Sequence, residues 1–394
     1  MSDFAAQLNE DLARWRARGL GRVLNNLESP QGPRIRLAGR DCLNFSANDY
    51  LGLANHPALK KAAAAALEQY GAGAGAARLL SGSLPPQQAL ERALAQYKGA
   101  AAALSFSSGY ATALGVIPAV VDRNDVVLLD KLAHACLVDG ARLSGARLRV
   151  FAHNDLNDLQ AKLSWAAAQR AAGAAQRILI ICESIYSMDG DAAPLAEIVA
   201  LKEHHQAWLM VDEAHATGVL GPHGAGLVQQ LGLSARVEIQ MGTLGKALGA
   251  AGGFIAGPAV LRDWLIHRAR SFVFSTAPPP AVAAAALAGL QVAQSEEGEQ
   301  RRQALRLRRA QLVEGLRRNG WPVPDPAAAI VPLLLGAEER ALEWAGRLRE
   351  AGFFLPAIRY PTVPRGRARL RISLSAAHTA EEVEALLRAL GKRP

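Results

Sequence analysis

Lys246 lies in Gly242-Thr243-Leu244-Gly245-Lys246-Ala247-Leu248-Gly249, directly after the apolar positions Val237, Ile239 and Met241. Those positions read as a buried strand, and glycines on both sides of the lysine let the backbone bend and approach another group closely. An amine hemmed in by Leu and Ala at a strand end is partly desolvated. That lowers its pKa and makes it a nucleophile able to form a Schiff base. Alone, the stretch reads equally as a surface lysine in a glycine-rich turn. Upstream, Trp208-Leu209-Met210-Val211 ends on Asp212-Glu213-Ala214-His215. A carboxylate at the carboxyl end of a buried strand, with a histidine three residues on, sits where open α/β sheets place ligands. Singly, Asp212 could be a helix N-cap and His215 a capping or core histidine.

Together the three groups fit one chemistry. An amine captures an aldehyde, an acid keeps a ring nitrogen protonated, and an imidazole reaches a ring hydroxyl, which is what pyridoxal phosphate needs to act as an electron sink. The surrounding chain supplies elements to position them. From Ala100 onward, apolar runs at 101–105, 126–129, 148–151, 177–182, 207–211, 237–241 and 252–256 alternate with helical stretches, which predicts a mainly parallel seven-stranded sheet. Ser107-Ser108-Gly109-Tyr110-Ala111-Thr112 follows the first run and opens a helix, so its backbone N–H groups and dipole offer a phosphate seat, Tyr110 adding one N–H. Asp130 to Ala135 follows the next strand and carries His134, which is otherwise an ordinary histidine at a helix start. Glu183 to Asp191 leaves the fourth strand, with Glu183 a strand-end carboxylate that can support catalysis, and carries Ser187. Gly71-Ala72-Gly73-Ala74-Gly75 follows a helix rather than a strand and lacks the third glycine of a dinucleotide fingerprint. It reads as a join that carries Arg78, Ser81, Gly82 and Ser83 towards the site.

At the N-terminus, residues 2–18 have Phe4, Leu8, Leu12 and Trp15 at helical spacing, Arg22 follows two glycines, and 34–45 suggest a β-ribbon. Beyond Pro278-Pro279-Pro280, a long helix or helix pair over 281–319 leads to strand 330–335, helix 338–351 and strand 368–374. The expected organisation is therefore α/β throughout: an N-terminal segment to residue 55, a large domain over 56–280, and a smaller α+β C-terminal domain over 281–394. In the last strand, Arg371 alternates with Leu370 and Ile372 and so points to the other face. A guanidinium there can bind a carboxylate bidentately, although a surface arginine is the plainer reading.

The composition narrows the classes. Half of the 394 residues are hydrophobic, enough for a sizeable core. The net charge of +9 is spread along the chain, apart from five arginines over 301–309 that read as a solvated helix face. Aromatics do not interleave with the basic residues, which argues against nucleic acid, while a basic surface suits an anionic acyl donor. Cys42, Cys136 and Cys182 show no metal-ligand spacing and read as buried thiols in a reducing compartment. The N-terminus lacks an apolar signal core, and Ala281–Leu290 is too short to span a bilayer. The expectation is a cytoplasmic protein with no membrane or metal.

The runs VDEAHATGVLG and GTLGKALGAAGG, with NFSANDYLG at 44–52, resemble the α-oxoamine synthases, pyridoxal-phosphate enzymes of fold type I, and the likeness extends from about Arg22 to His378. The resemblance implies an acyltransferase with Lys246, His134, Asp212 and His215 as catalytic groups. It puts Gly109, Tyr110, His134, Ser187, Asp212, His215, Thr243 and Lys246 on the cofactor, with His134 stacked on the ring, and Thr276 on the phosphate of a neighbouring subunit. It therefore implies a homodimer with a shared site. It also assigns Arg22, His134, Thr362 and Arg371 to substrate, Arg371 on the amino-acid carboxylate. Pro361-Thr362-Val363-Pro364 directs the likeness towards members that join L-alanine to pimeloyl-CoA or pimeloyl-acyl-carrier protein in biotin synthesis. Other members join glycine to acetyl-CoA, and some relatives of the fold are non-catalytic subunits that usually lack the lysine.

Overall fold

The computed structural model describes residues 3–393. Its centre is a seven-stranded sheet in the order Ala102–Phe106, Gly253–Gly257, Ile239–Thr243, Trp208–Asp212, Ile178–Glu183, Val126–Asp130, Arg147–Phe151. Gly253–Gly257 runs antiparallel to both of its neighbours, and the remaining pairings are parallel. The inner strands are apolar and, apart from the exposed Trp208 at the start of one, buried along their length, as strands covered by helices on both faces must be. The edge strand Arg147–Phe151 instead carries two arginines and is half-open, a pattern that discourages pairing with another chain.

The register decides which side chains meet. Glu183 pairs with Asp212 and Asp212 with Met241 across adjacent parallel strands. Their carboxyl ends therefore open onto one edge of the sheet, and the turn after Thr243 brings Lys246 over it. Of the glycines flanking that lysine, Gly242 would put a Cβ 2.5 Å from the Phe254 ring, and Gly249 is constrained in its backbone as well. Its φ is +69°, and a Cβ there would stand 2.5 Å from the Leu53 backbone. Gly245 would accept a Cβ in ordinary contact.

A second layer is built from both ends of the chain. Ile330–Gly336, Ala368–Ser373 and the short Ala357–Ile358 form an antiparallel sheet, and the ribbon Arg34–Leu37 with Arg40–Asn44 pairs in parallel with Phe353–Phe354. The long helices Pro280–Gln294 and Glu296–Arg318 connect this layer to the large sheet.

Two readings from sequence need correction, and a third, the N-terminal helix, holds over the described residues. The 301–309 segment is not a solvated face throughout. Arg302 is 1% exposed, donates to the Ala293 carbonyl at 2.6 Å and pairs with Glu299. Arg301 donates to the Leu51 carbonyl. Arg78 does not reach towards Lys246; its guanidinium is held by both oxygens of Glu91 at 2.9 and 3.0 Å. The helix Asp3–Ala17 forms, but Phe4, Leu8, Leu12 and Trp15 all stay exposed, so its apolar stripe is unburied on its own chain.

Directly behind Asp212, Lys98 and Glu213 form an ion pair with both side chains fully buried. Lys98 also donates to the Ala225 carbonyl at 2.5 Å, and Glu213 accepts from Val228 N at 2.9 Å. Lys98→Met would leave that carboxylate in the interior with no counter-charge. The expected cost is about 3–5 kcal/mol of folding stability, because a buried charge without its partner keeps its full desolvation penalty. Urea unfolding checks it, and a loss below about 1 kcal/mol would mean that the pair holds nothing in place.

Candidate active site

At the carboxyl edge of the sheet, Gly109, Tyr110, His134, Cys136, Glu183, Asp212, Ala214, His215, Met241, Thr243 and Lys246 line a cavity of about 170 Å³. Segments more than a hundred residues apart thus deliver the predicted groups to one place. Lys246 Nζ lies 2.8 Å from His215 Nε2. On the far side of the ring, His215 Nδ1 lies 2.6 Å from the Tyr50 hydroxyl, which Arg371 Nη2 reaches at 3.2 Å. A continuous chain of hydrogen bonds therefore ties the amine to the guanidinium.

Burial governs the charges. It pushes the Lys246 ammonium down, opposed by the Asp212 and Glu183 carboxylates. It pushes Asp212 up, opposed by Lys246. His215 falls well below the ordinary histidine range through burial and then the neighbouring Lys246 charge, so it is neutral. The amine is thereby kept closer to its free-base form than an exposed lysine would be.

Glu183 accepts from the backbone N–H of His134 at 2.6 Å. Burial, and then the Asp212 charge, lift its carboxyl to about 8 from an ordinary 4.5. Between those values the folded chain keeps a proton that the unfolded chain has released. Stability is then complete below the lower value and lost as pH rises towards the higher one. The cofactor-free protein is expected to show a Tm that declines between about pH 5 and pH 8. Glu183→Gln retains an acceptor for His134 and should flatten that decline; an unaltered slope in the variant would contradict the assignment.

The helix Gly109–Val120 starts at the cavity. Ser108 caps it by accepting from Ala111 N at 3.0 Å, which leaves the N–H groups of Gly109 and Tyr110 directed outward at the positive end of the dipole. A Cβ on Gly109 would stand 3.7 Å from Thr243 Cβ and 3.8 Å from Met241 Cε, in the space those residues enclose. Its glycine therefore keeps this seat open. Asp212 is 4% exposed, and its Oδ1 accepts from Ala214 N at 2.9 Å, so one oxygen is engaged by its own loop. His134 is exposed at the mouth, its Nδ1 accepting from Cys136 N at 3.2 Å. That bond puts the ring proton on Nε2. An anion seat, a buried strand-end acid, an amine and an open imidazole fit a phosphorylated pyridine aldehyde.

The other predicted residues lie around this cavity or apart from it. Arg371 is buried, donating from Nε to the Ser187 carbonyl at 2.5 Å, from Nη1 to Ser373 Oγ at 2.8 Å and from Nη2 to Asn48 Oδ1 at 3.1 Å. A carboxylate arriving at Nη2 would share it with Asn48 and Tyr50. Ser187 is buried beside Arg371, outside the set lining the cavity. Thr276 is exposed on a loop bridged to Ala77 and also lies outside the lining set. Arg22 and Thr362 come together in a second, polar cavity of about 320 Å³ with Arg359 and Tyr360, where Arg359 donates to the Gly21 carbonyl at 2.8 Å.

Sequence reasoning missed Asn48, Tyr50 and Cys136 as parts of the site. The signal for the first two was available: polar side chains in a short turn-rich run directly after a strand. Nothing local marks Cys136, which burial and the nearby carboxylates push to high pKa, so it is an inert wall rather than a nucleophile.

The family described as aminotransferase class I and II matches residues 40–390. An 8-amino-7-oxononanoate synthase of Anaeromyxobacter dehalogenans is 50% identical over 374 residues, 95% of this chain and 92% of that one. Among solved structures, serine palmitoyltransferase of S. paucimobilis with bound PLP has a TM-score of 0.91 at 28% identity, covering 99% of this chain and 97% of its own. The 8-amino-7-oxononanoate synthase of Francisella tularensis has a TM-score of 0.76 at 26% identity, covering 89% of this chain and 96% of its own.

Proposed function

The chain belongs to the aminotransferase class I and II family, and to the α-oxoamine synthases within it; on that premise we propose that it joins L-alanine to a pimeloyl thioester, giving 8-amino-7-oxononanoate, CO2 and a free thiol in biotin synthesis. One observation carries the reading: the convergence of Lys246, Asp212, His215 and a helix-start anion seat on one cavity, in a chain half identical, almost end to end, to an enzyme of that name. The larger TM-score belongs to a serine palmitoyltransferase. That score measures backbone likeness, whereas substrate choice lies in side chains, where identity is 50% against 28%.

Pyridoxal phosphate, the cofactor, supplies a conjugated ring that takes up the electron pair left at Cα of the amino acid. The Gly109 and Tyr110 N–H groups would hold its phosphate, Thr243 would turn its hydroxyl to it from the Gly252 carbonyl, and His134 would cover the ring face. Asp212 would keep the ring nitrogen protonated, and His215, 2.8 Å from Nζ, would turn to the ring hydroxyl. Arg371 takes the alanine carboxylate. Lys246 Nζ removes the Cα proton, and burial, by lowering its pKa, makes it a readier base than an exposed lysine. The new Cα–acyl bond forms as the C–S bond breaks and the thiol leaves. The Cα–carboxylate bond then breaks, its carbon departs as CO2, and a proton returns to Cα. Arg22 and Thr362 line a basic, polar cavity that suits the far carboxylate of the pimeloyl chain.

The working unit in this reading is a cytoplasmic homodimer. The unburied stripe of Asp3–Ala17 and the outward position of Thr276 support a partner that covers the one and receives the other on its cofactor phosphate. Among the described residues no helix is long and apolar enough to cross a membrane. The acyl group arrives on CoA or on a carrier protein.

The test is direct. Purified protein supplied with pyridoxal phosphate, L-alanine and pimeloyl-CoA or pimeloyl-carrier protein should yield 8-amino-7-oxononanoate by mass, one CO2 per product. Glycine with acetyl-CoA, and serine with a long-chain acyl-CoA, should give far less. Preference for either pair would replace the proposal with that activity.

A further inference from the structure

The carboxyl edge of the sheet also carries a cluster that the chemistry above does not use. Asp130 ends its strand and is buried. His153 Nδ1 lies 3.0 Å from Asp130 Oδ1, and His153 Nε2 lies 2.8 Å from Asp191 Oδ2. Both ring nitrogens thus face carboxylate oxygens, and an ionised carboxylate offers only acceptors. The ring must therefore carry two protons and a positive charge. Burial works against that charge, but the bonds from Asp130 and Asp191 outweigh it and hold the group near about 10. Asn154 adds a bond to Asp191 Oδ2 at 3.0 Å and one to the Ala192 carbonyl at 3.1 Å.

Asp191 belongs to a tight reversal of the chain over 184–193. It is closed by Tyr186 N to Asp191 O at 3.0 Å, Gly190 N to Tyr186 O at 2.9 Å and Ala193 N to Ser184 O at 3.1 Å. The ring of Tyr186 stands edge-on to His153, with centroids 4.3 Å apart. The tip of the same reversal touches the C-terminal sheet. Arg369 Nη1 donates to the Met188 carbonyl and to Asp189 Oδ1, both at 2.8 Å, and Arg371 Nε donates to the Ser187 carbonyl. The reversal is anchored to the large sheet on one side, and it holds the guanidinium of Arg371 on the other.

We infer that His153 is a positioning residue for amino-acid binding: its doubly bonded imidazolium bolts the 184–193 reversal to the strand end at Asp130, and the reversal, through the Ser187 carbonyl, aims Arg371. The inference rests on the proposed role of Arg371 at the substrate carboxylate. His153 touches neither substrate nor cofactor cavity, so removing it should loosen the carboxylate receptor and leave Lys246, Asp212 and the anion seat in place.

The experiment uses the holoenzyme with His153→Gln, which can donate to one carboxylate but turns an oxygen or nothing to the other. KM for L-alanine should rise by about tenfold or more, while kcat and KM for the acyl thioester change by less than about threefold. Hydrogen exchange on the cofactor-free variant should show faster exchange at the Tyr186 and Gly190 amides, with the helix Gly109–Val120 unchanged. If His153→Gln does not fold, Asp191→Ala cuts the same bolt on the reversal side and should give the same pattern. A folded variant whose alanine KM stays within about twofold of wild type overturns the inference, as does an equal loss for both substrates. If the wild-type protein does not use L-alanine, the functional reading has failed instead. Exchange at Tyr186 and Gly190 then still decides whether His153 holds the reversal.

Discussion

Lys246→Ala is expected to remove turnover, by at least about a thousandfold, because in the proposed mechanism one substitution deletes both the amine that tethers the cofactor and the base that moves the Cα proton. General acid–base catalysis alone contributes about 10²–10⁴, and the lost covalent attachment adds to that. The structure gives the loss a specific form. Nζ lies 2.8 Å from a neutral histidine and near two carboxylates, and Lys246 is the one lysine among the described residues lining the cavity, so no other amine there can substitute for it. Borohydride reduction of the wild-type protein with its cofactor, followed by peptide mass mapping, should place the label on the peptide containing residue 246. The variant should carry no label there, yet its unfolding transition should stay close to wild type, since a half-buried side chain at a cavity wall supports little packing. Turnover within tenfold of wild type would mean that the amine is not the base.

The strands that build this site were legible because their inner positions are continuous apolar runs, and the site residues were legible where each ended such a run on a polar group. Asp212, Thr243 and Glu183 all follow that rule. What sequence could not convey was contact between elements far apart in the chain. Tyr50 and Arg371 are 321 residues apart and share a hydrogen bond; nothing in either local pattern predicts the other. The same limit explains Arg78, whose partner Glu91 lies on a helix that the pattern does not orient towards it. Periodicity also failed to say what covers a face. Phe4, Leu8, Leu12 and Trp15 have the spacing of a core-facing stripe and form the helix, but their own chain does not bury them. For 301–309 the opposite error arose, since a run of arginines reads as solvated until the fold supplies carbonyls and Glu299 for Arg302.

The second large effect is expected at Asp212→Asn. The amide matches the carboxylate in shape and can still accept from Ala214 N, so packing at the centre of the sheet should survive. It cannot hold a proton on a ring nitrogen by charge, and the electron-withdrawing power of the ring falls with it. Removing one such electrostatic stabiliser from a water-poor site costs about 10²–10³ in kcat. Binding of L-alanine should change little, because Arg371 is held by Ser187, Ser373, Asn48 and Tyr50 and by no bond to Asp212. The variant also carries an internal control. The Asp212 charge is one cause of the raised Glu183 carboxyl and opposes the lowering at Lys246. Neutralising it should let Glu183 ionise at lower pH and let the Lys246 ammonium release its proton at lower pH. The decline of Tm with pH in the cofactor-free protein should therefore become shallower in Asp212→Asn as well as in Glu183→Gln. A variant with unimpaired kcat, or one whose Tm slope matches wild type, would separate the carboxylate from the role given to it here.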